Sequence, residues 1–166
     1  FSTKGIIAAV LQIVVHAFAK IVMFFAVGAI YTTSHKKKVS EIAGIGRIMP
    51  YTMAAFAVAA ISLIGLPPAA GFIAKWYILD GAMGVEQFFV VAVIIISTML
   101  NAAYFLPIIY KSFFMKEVHG NGITISRNHG EAPALMVCSI WLAAAIVLVL
   151  FVFPGRLLQL VEMVGR

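Results

Sequence analysis

Residues 5–33 read GIIAAVLQIVVHAFAKIVMFFAVGAIYTT, an apolar stretch long enough to cross a bilayer as one helix, with Lys20 near its middle. The nearest charges, Lys4 and the run His35-Lys36-Lys37-Lys38, stand about sixteen residues to either side. Along a helix that places Lys20 roughly 23 Å from each, too deep for its stem to reach either surface comfortably. An ionisable group at that depth is costly and points to an ion or proton path; a lysine held by carbonyls or a neighbouring helix for packing alone is the competing reading. His16 and Gln12 precede it at intervals of four, so Gln12, His16 and Lys20 form one stripe about 12 Å long.

Composition agrees with that reading. The 166 residues are 63% hydrophobic and only 11% charged, with a mean hydropathy of +1.08, far more apolar than a soluble domain. The fold class expected is an all-α integral membrane protein. The net charge of +6 would suggest anionic partners in a soluble protein, but most of it lies in short loops between apolar spans, which excludes nucleic acid and fits the positive-inside rule. Cys138 stands alone in an apolar span, so no disulfide or thiolate metal site is expected, and it reads as a small buried hydrophobe. The first span is too long for the apolar core of a signal peptide and is polar at its centre. Because Phe1 leads directly into it, one piece of a longer polytopic subunit is expected.

Hydropathy divides the chain into four spans, about Gly5 to Thr33, Pro50 to Met83, Gln87 to Phe114 and Pro133 to Phe153. Short connections make consecutive spans antiparallel. The loops after the first and third spans, with the end of the third, carry Lys36, Lys37, Lys38, Arg47, Lys111, Lys116 and Arg127, against Lys4, Arg156 and Arg166 on the opposite side. Seven against three assigns the basic loops to the cytoplasm and gives the order out-in-out-in-out. The tail from Arg156 to Val164 is too short to span and reads as a brief interfacial helix.

The second span contains Gly65-Leu66-Pro67-Pro68 and then Gly71. Two prolines remove backbone donors and two glycines relax the chain, so a helix break over Gly65–Gly71 is expected. Irregular backbone at membrane depth is tolerated where protein or a water-lined cavity surrounds it, and transporters place ion sites there; a plain proline kink is the alternative. Lys75 follows four residues after Gly71. It reads either as a second intramembrane lysine at the break or as an interfacial anchor beside Trp76 and Tyr77, reaching toward the surface at Asp80. The third span adds Ser97, Thr98, Asn101 and Tyr104, with Thr98 and Asn101 on one face. Such groups hold helices together or hydrate a path. Pro107 should kink that span.

Chemically, burial and nearby positive charge bring the charged and neutral forms of a lysine close in energy, and an imidazole can accept a proton on one nitrogen and release one from the other. Lys20, His16 and Lys75 are therefore the candidate proton-transfer residues, with Gln12, Thr98 and Asn101 as supporting polar groups and Gly65, Pro67, Pro68 and Gly71 as the break. One histidine without a membrane acid makes a poor metal site, no span holds a nucleophile with a base, and Gly44-Ile45-Gly46 is too short for a phosphate fingerprint. No cofactor, metal or catalytic residue is expected.

The segments His16-Ala17-Phe18-Ala19-Lys20 and Gly65-Leu66-Pro67-Pro68-Ala69-Ala70-Gly71-Phe72-Ile73-Ala74-Lys75, with the basic loop between them, resemble the proton-conducting antiporter subunits shared by Mrp-type cation/proton antiporters and respiratory complex I. That resemblance implies a single membrane domain over 1–166 equivalent to helices eleven to fourteen of a fourteen-helix subunit built from two inverted five-helix repeats. It also implies that Lys20 and His16 match the central polar axis, and that Lys75 matches the ionisable residue of the second broken helix, a glutamate in some members. Gln12 stands where some complex I members carry a second histidine, the acid and lysine pair of the first repeat is absent, and so is the lateral helix of the most distal complex I subunit. Lys75-Trp76-Tyr77 is more similar to the D-type member of the Mrp antiporters.

The function this implies is proton translocation within a multisubunit monovalent cation/proton antiporter, without catalytic chemistry of its own. Its partners would be lipid, other membrane subunits, protons and, as a candidate coupled ion, sodium, in a bacterial or archaeal cytoplasmic membrane. The alternatives are a proton-pumping subunit of an NADH-quinone oxidoreductase or related hydrogenase, which would count as part of that enzyme, and a non-transporting assembly subunit.

Overall fold

The computed structural model describes residues 3–115 and 130–155. The loop over 116–129 and the expected interfacial helix of the tail lie outside the described residues. Those described form five helices and no strand: α1 (Thr3–Ser34), α2 (Pro50–Ile64), α3 (Ala70–Met83), α4 (Phe88–Phe114) and α5 (Ala134–Val152). Helices α1, α4 and α5 are each long and apolar enough to cross a membrane. At 15 and 14 residues, α2 and α3 reach only about 22 Å each, short of a hydrocarbon core of about 30 Å.

The two half-helices make one crossing between them. Ala59, Ala60, Leu63 and Ile64 of α2 share a core with Ala19, Val22, Ala26 and Ile30 of α1, whereas Ala70 and Ala74 of α3 pack with Leu11 and Val15. The second span thus runs antiparallel to α1, and its break lies level with the turn between Val15 and Ala19, near the middle of α1. Ile140, Ala143 and Ala144 of α5 join the first core and Leu150 and Phe151 the second, so α5 runs parallel to the broken span. Helix α4 packs on the outer side of α2 and α3 and continues through Pro107.

Small residues decide which side of α1 turns inward. Ala8, Ala19, Ala26 and Ala29 are fully buried and let neighbouring backbones approach closely. Cys138, expected in the packing, is exposed on α5, because Ile140, Ala143, Ala144 and Val147 occupy the inward face of that helix.

The first connecting loop closes the end of α4. Two short 3-10 turns, Val39–Glu41 and Ile45–Arg47, bring the Gly44 amide to the Lys111 carbonyl at 3.1 Å and the Arg47 Nε to the Phe113 carbonyl at 3.3 Å. These satisfy carbonyls that a helix end leaves open. Gly46 is required there, since a Cβ would stand 2.8 Å from the Phe113 ring. Glu41 accepts from the amides of Lys37 and Lys38 at 3.0 and 3.1 Å. The Lys38 amide, then that of Lys37, holds its carboxyl below the ordinary carboxylate range.

Candidate functional site

The break is built so that each carbonyl at the end of α2 finds a donor. Gly65 adopts the left-handed conformation at φ 86°, which ends the helix. Its amide donates to the carbonyls of Ile61 and Ser62, and the Leu66 amide returns to Ile61. The two carbonyls that follow are taken by side chains from other helices. Asn101 Nδ2 donates to the Leu63 oxygen at 3.4 Å, and Lys75 Nζ donates to the Ile64 oxygen at 2.8 Å. Four open carbonyls at a helix end carry the negative pole of the helix dipole, so an ammonium is well placed there.

The start of α3 folds against the same end. The Gly71 amide donates to Ser62 Oγ at 3.2 Å, and a Cβ on Gly71 would overlap the Ser62 carbonyl oxygen. A Cβ on Gly65 would stand 2.6 Å from Lys75 Cδ. Both glycines are therefore fixed by close approach, and the Pro67-Pro68 pair, joined by a cis peptide, forms the irregular segment between the halves.

Lys75 is half-buried, and its ammonium turns back to the break instead of reaching along α3 toward Asp80. Besides the Ile64 oxygen it donates to Thr98 Oγ1 at 2.8 Å. Both acceptors are neutral oxygens. Beside them lies a cavity of about 140 Å³, lined by Lys75 and Thr98 together with Gly65, Phe72, Trp76, Leu79, Ile94 and Ile95. That volume accommodates several waters, with an ammonium and a hydroxyl to hydrogen-bond them. Along α4 the polar ladder continues as Tyr104 donates to Asn101 Oδ1 at 2.9 Å. Thr98 and Asn101 are thus brought to the site, while Ser97 is exposed and turned from it.

His16 and Lys20 lie elsewhere around α1. Both are exposed in the described chain, on the face opposite Leu11, Val15, Ala19 and Val22, so the burial expected of them is not supplied by the described helices. The reason is that the alanine-bearing face of α1 takes the contacts with α2, α3 and α5. Their depth along α1 matches the break, and both stand on the exposed part of its surface. Gln12 stands at the flank, half-buried, with its Oε1 buried and without a partner among the described residues. No cluster of metal-ligating side chains occurs among the described residues.

Glu131 carries no local signal of a role in the sequence. Its carboxylate accepts from the Tyr51 amide at 2.8 Å and from the Thr52 hydroxyl at 2.5 Å, capping the first turn of α2. Standing two residues before Pro133, it reads as a loop charge, and its partners are some eighty positions earlier.

The family described as NADH:quinone oxidoreductase/Mrp antiporter, TM, matches residues 1–101. NADH-quinone oxidoreductase subunit N of Desulforudis audaxviator is 39% identical over 105 residues, 63% of this chain and 21% of that protein. The subunit N of Paenibacillus sp. is 30% identical over 155 residues, 93% of this chain and 29% of that protein. The chain thus spans less than a third of the length of these relatives. Among solved structures, a chain of the Mrp complex from Dietzia sp. DQ12-45-1b superposes with a TM-score of 0.85 at 21% identity, covering 99% of this chain and 38% of that one. The broken second span and the match over most of its length together show that this integral membrane chain belongs to the NADH:quinone oxidoreductase/Mrp antiporter transmembrane family.

Proposed function

We propose that this chain carries proton translocation in a multisubunit monovalent cation/proton antiporter, with Lys75 as a protonatable site at the helix break and Lys20 with His16 as a relay at the same depth. In this reading it corresponds to the last four helices of a fourteen-helix subunit, its basic loops face the cytoplasm of a bacterial or archaeal cell, and its partners are other membrane subunits, with protons and sodium as the ions.

The single observation that supports this most is the setting of Lys75, whose ammonium is shared by the Ile64 carbonyl and the Thr98 hydroxyl beside a cavity able to hold water. A carboxylate partner would favour one charge state strongly; two neutral oxygens favour the ammonium less, so a proton can leave and return. Cavity water supplies a route for it. Lys75→Met removes the protonatable group at similar volume. In vesicles holding the complete complex, proton-coupled transport per assembled complex should fall by about tenfold or more, and transport at the wild-type level would overturn the reading.

A second reading is a proton-pumping subunit of a redox-driven NADH-quinone oxidoreductase. It is favoured by the relatives named subunit N, one of which is 39% identical to this chain over 105 residues. Hydrophilic NADH-oxidising subunits co-purifying with the complete protein would select it over the antiporter.

A further inference from the structure

Helix α2 is held at both ends by side chains from other helices and the segments before them. At its end, Lys75 of α3 and Asn101 of α4 take the Ile64 and Leu63 carbonyls. At its start, its own Met49 supplies no side-chain cap and Pro50 occupies the first turn. The missing anion comes from Glu131, whose Oε2 accepts from the Tyr51 amide and whose Oε1 accepts from the Thr52 hydroxyl. Thr52 is fully buried.

Glu131 is itself firmly seated. Its Oε1 also accepts from the Ala132 amide at 3.2 Å, and the Pro133 carbonyl just beyond accepts from Met136 and Val137 at the start of α5. The carboxylate therefore fixes α2 relative to α5, and it meets the positive pole of the α2 dipole as Lys75 meets the negative one. The break interrupts the helical ladder between α2 and α3, and beyond Gly65 the main chain ties to the last turn of α2 through the Leu66 amide on Ile61 and the Gly71 amide on the Ser62 hydroxyl. A hydrogen-bonded helix of 15 residues moves as a unit, so a slip at Tyr51 is carried to Ile64.

We propose that Glu131 is a positioning residue for Lys75: by clamping the first turn of α2 it fixes the carbonyl against which the Lys75 ammonium is held. The proposal rests on the reading of Lys75 as a proton site, and it assigns to the start of α5 a role in setting the geometry of the break about 22 Å away along α2.

The test is a double-mutant cycle on proton-coupled transport, in vesicles holding the complete complex and normalised to assembled protein. Glu131→Ala should lower transport about fivefold, the equivalent of one lost helix cap, and Glu131→Gln, which keeps an acceptor oxygen, should restore part of it. Residues this far apart ordinarily act independently. Combined with Thr98→Val, which takes one acceptor from Lys75, Glu131→Ala should depart from the product of the single effects by more than about twofold. Where Glu131→Ala lowers assembly too far, Glu131→Gln takes its place in the cycle. A multiplicative cycle, or wild-type transport in Glu131→Ala, would overturn the proposal. Lys75→Met in the same vesicles separates the two ideas: a wild-type rate there removes the reading of Lys75, whereas a lost rate with a multiplicative cycle removes only the role of Glu131.

Discussion

The amide of Gly71 donates to the Ser62 hydroxyl at 3.2 Å while its Cα lies against the Ser62 carbonyl, closer than any side chain would permit. The second half-helix therefore begins in contact with the last turn of the first, and the irregular segment between them is closed upon itself. Lys75, one turn further, is brought under the Ile64 carbonyl by that contact.

Glycine at these two positions should accordingly be required for different reasons. Gly71→Ala forces backbone apart at a buried contact and should reduce assembled protein, at a cost of about 1–3 kcal/mol. Gly65→Ala places a Cβ at a left-handed φ, costing about 1–2 kcal/mol, and also pushes on the Lys75 stem. It should reduce transport more than assembly. Quantifying assembled complex by detergent chromatography beside vesicle transport checks both; equal assembly of Gly71→Ala and wild type would contradict the close approach.

Lys20 and His16 lie at the depth of the break but on the uncovered face of α1. As relay groups, they should be sensitive to loss of the titrating function and not of volume. Lys20→Met should lower transport by about tenfold or more while assembly persists; unchanged transport would assign Lys20 to packing alone, and lost assembly would make it a structural lysine.

The basic loop should face the cytoplasm. Ser40, exposed in the first of the two short turns, is a suitable reporter. A cysteine placed there should resist an impermeant thiol reagent in intact cells and react after permeabilisation, and fast labelling in intact cells would reverse the orientation.

Glu41 should make the same loop sensitive to acid. Its folded pKa is depressed by the amides of Lys38 and Lys37, so the order it contributes is fully present above the ordinary carboxylate value of 4.5 and is lost as pH falls through the depressed folded value. Hydrogen exchange at Lys37 and Lys38, corrected for intrinsic rates, should accelerate only in that acidic window, and Glu41→Gln should abolish the change. A rate independent of pH in the wild type would contradict the assignment.

The break is legible in the sequence because Pro67, Pro68, Gly65 and Gly71 act through local backbone chemistry, which sequence carries directly. The boundaries of α1, α4 and α5 are legible from hydropathy for the same reason. Orientation around each helix is not. Helix α1 is apolar on nearly every side, so the spacing of Gln12, His16 and Lys20 defines a stripe without saying which way it faces; the buried alanines at 8, 19, 26 and 29 are the available signal. The direction of the Lys75 side chain depends on where α4 brings Thr98, and the cap from Glu131 depends on a contact between distant segments. Neither relation leaves a local trace.

In the proposed function, Lys75 works by releasing and regaining a proton at the end of α2. Lys75→Arg tests it most directly, because a guanidinium can donate to the Ile64 carbonyl and Thr98 hydroxyl but does not release its proton under working conditions. Measured in vesicles holding the complete complex and normalised to assembled protein, proton-coupled transport should fall by about tenfold or more with assembly retained. Wild-type transport by assembled Lys75→Arg complexes would contradict that role.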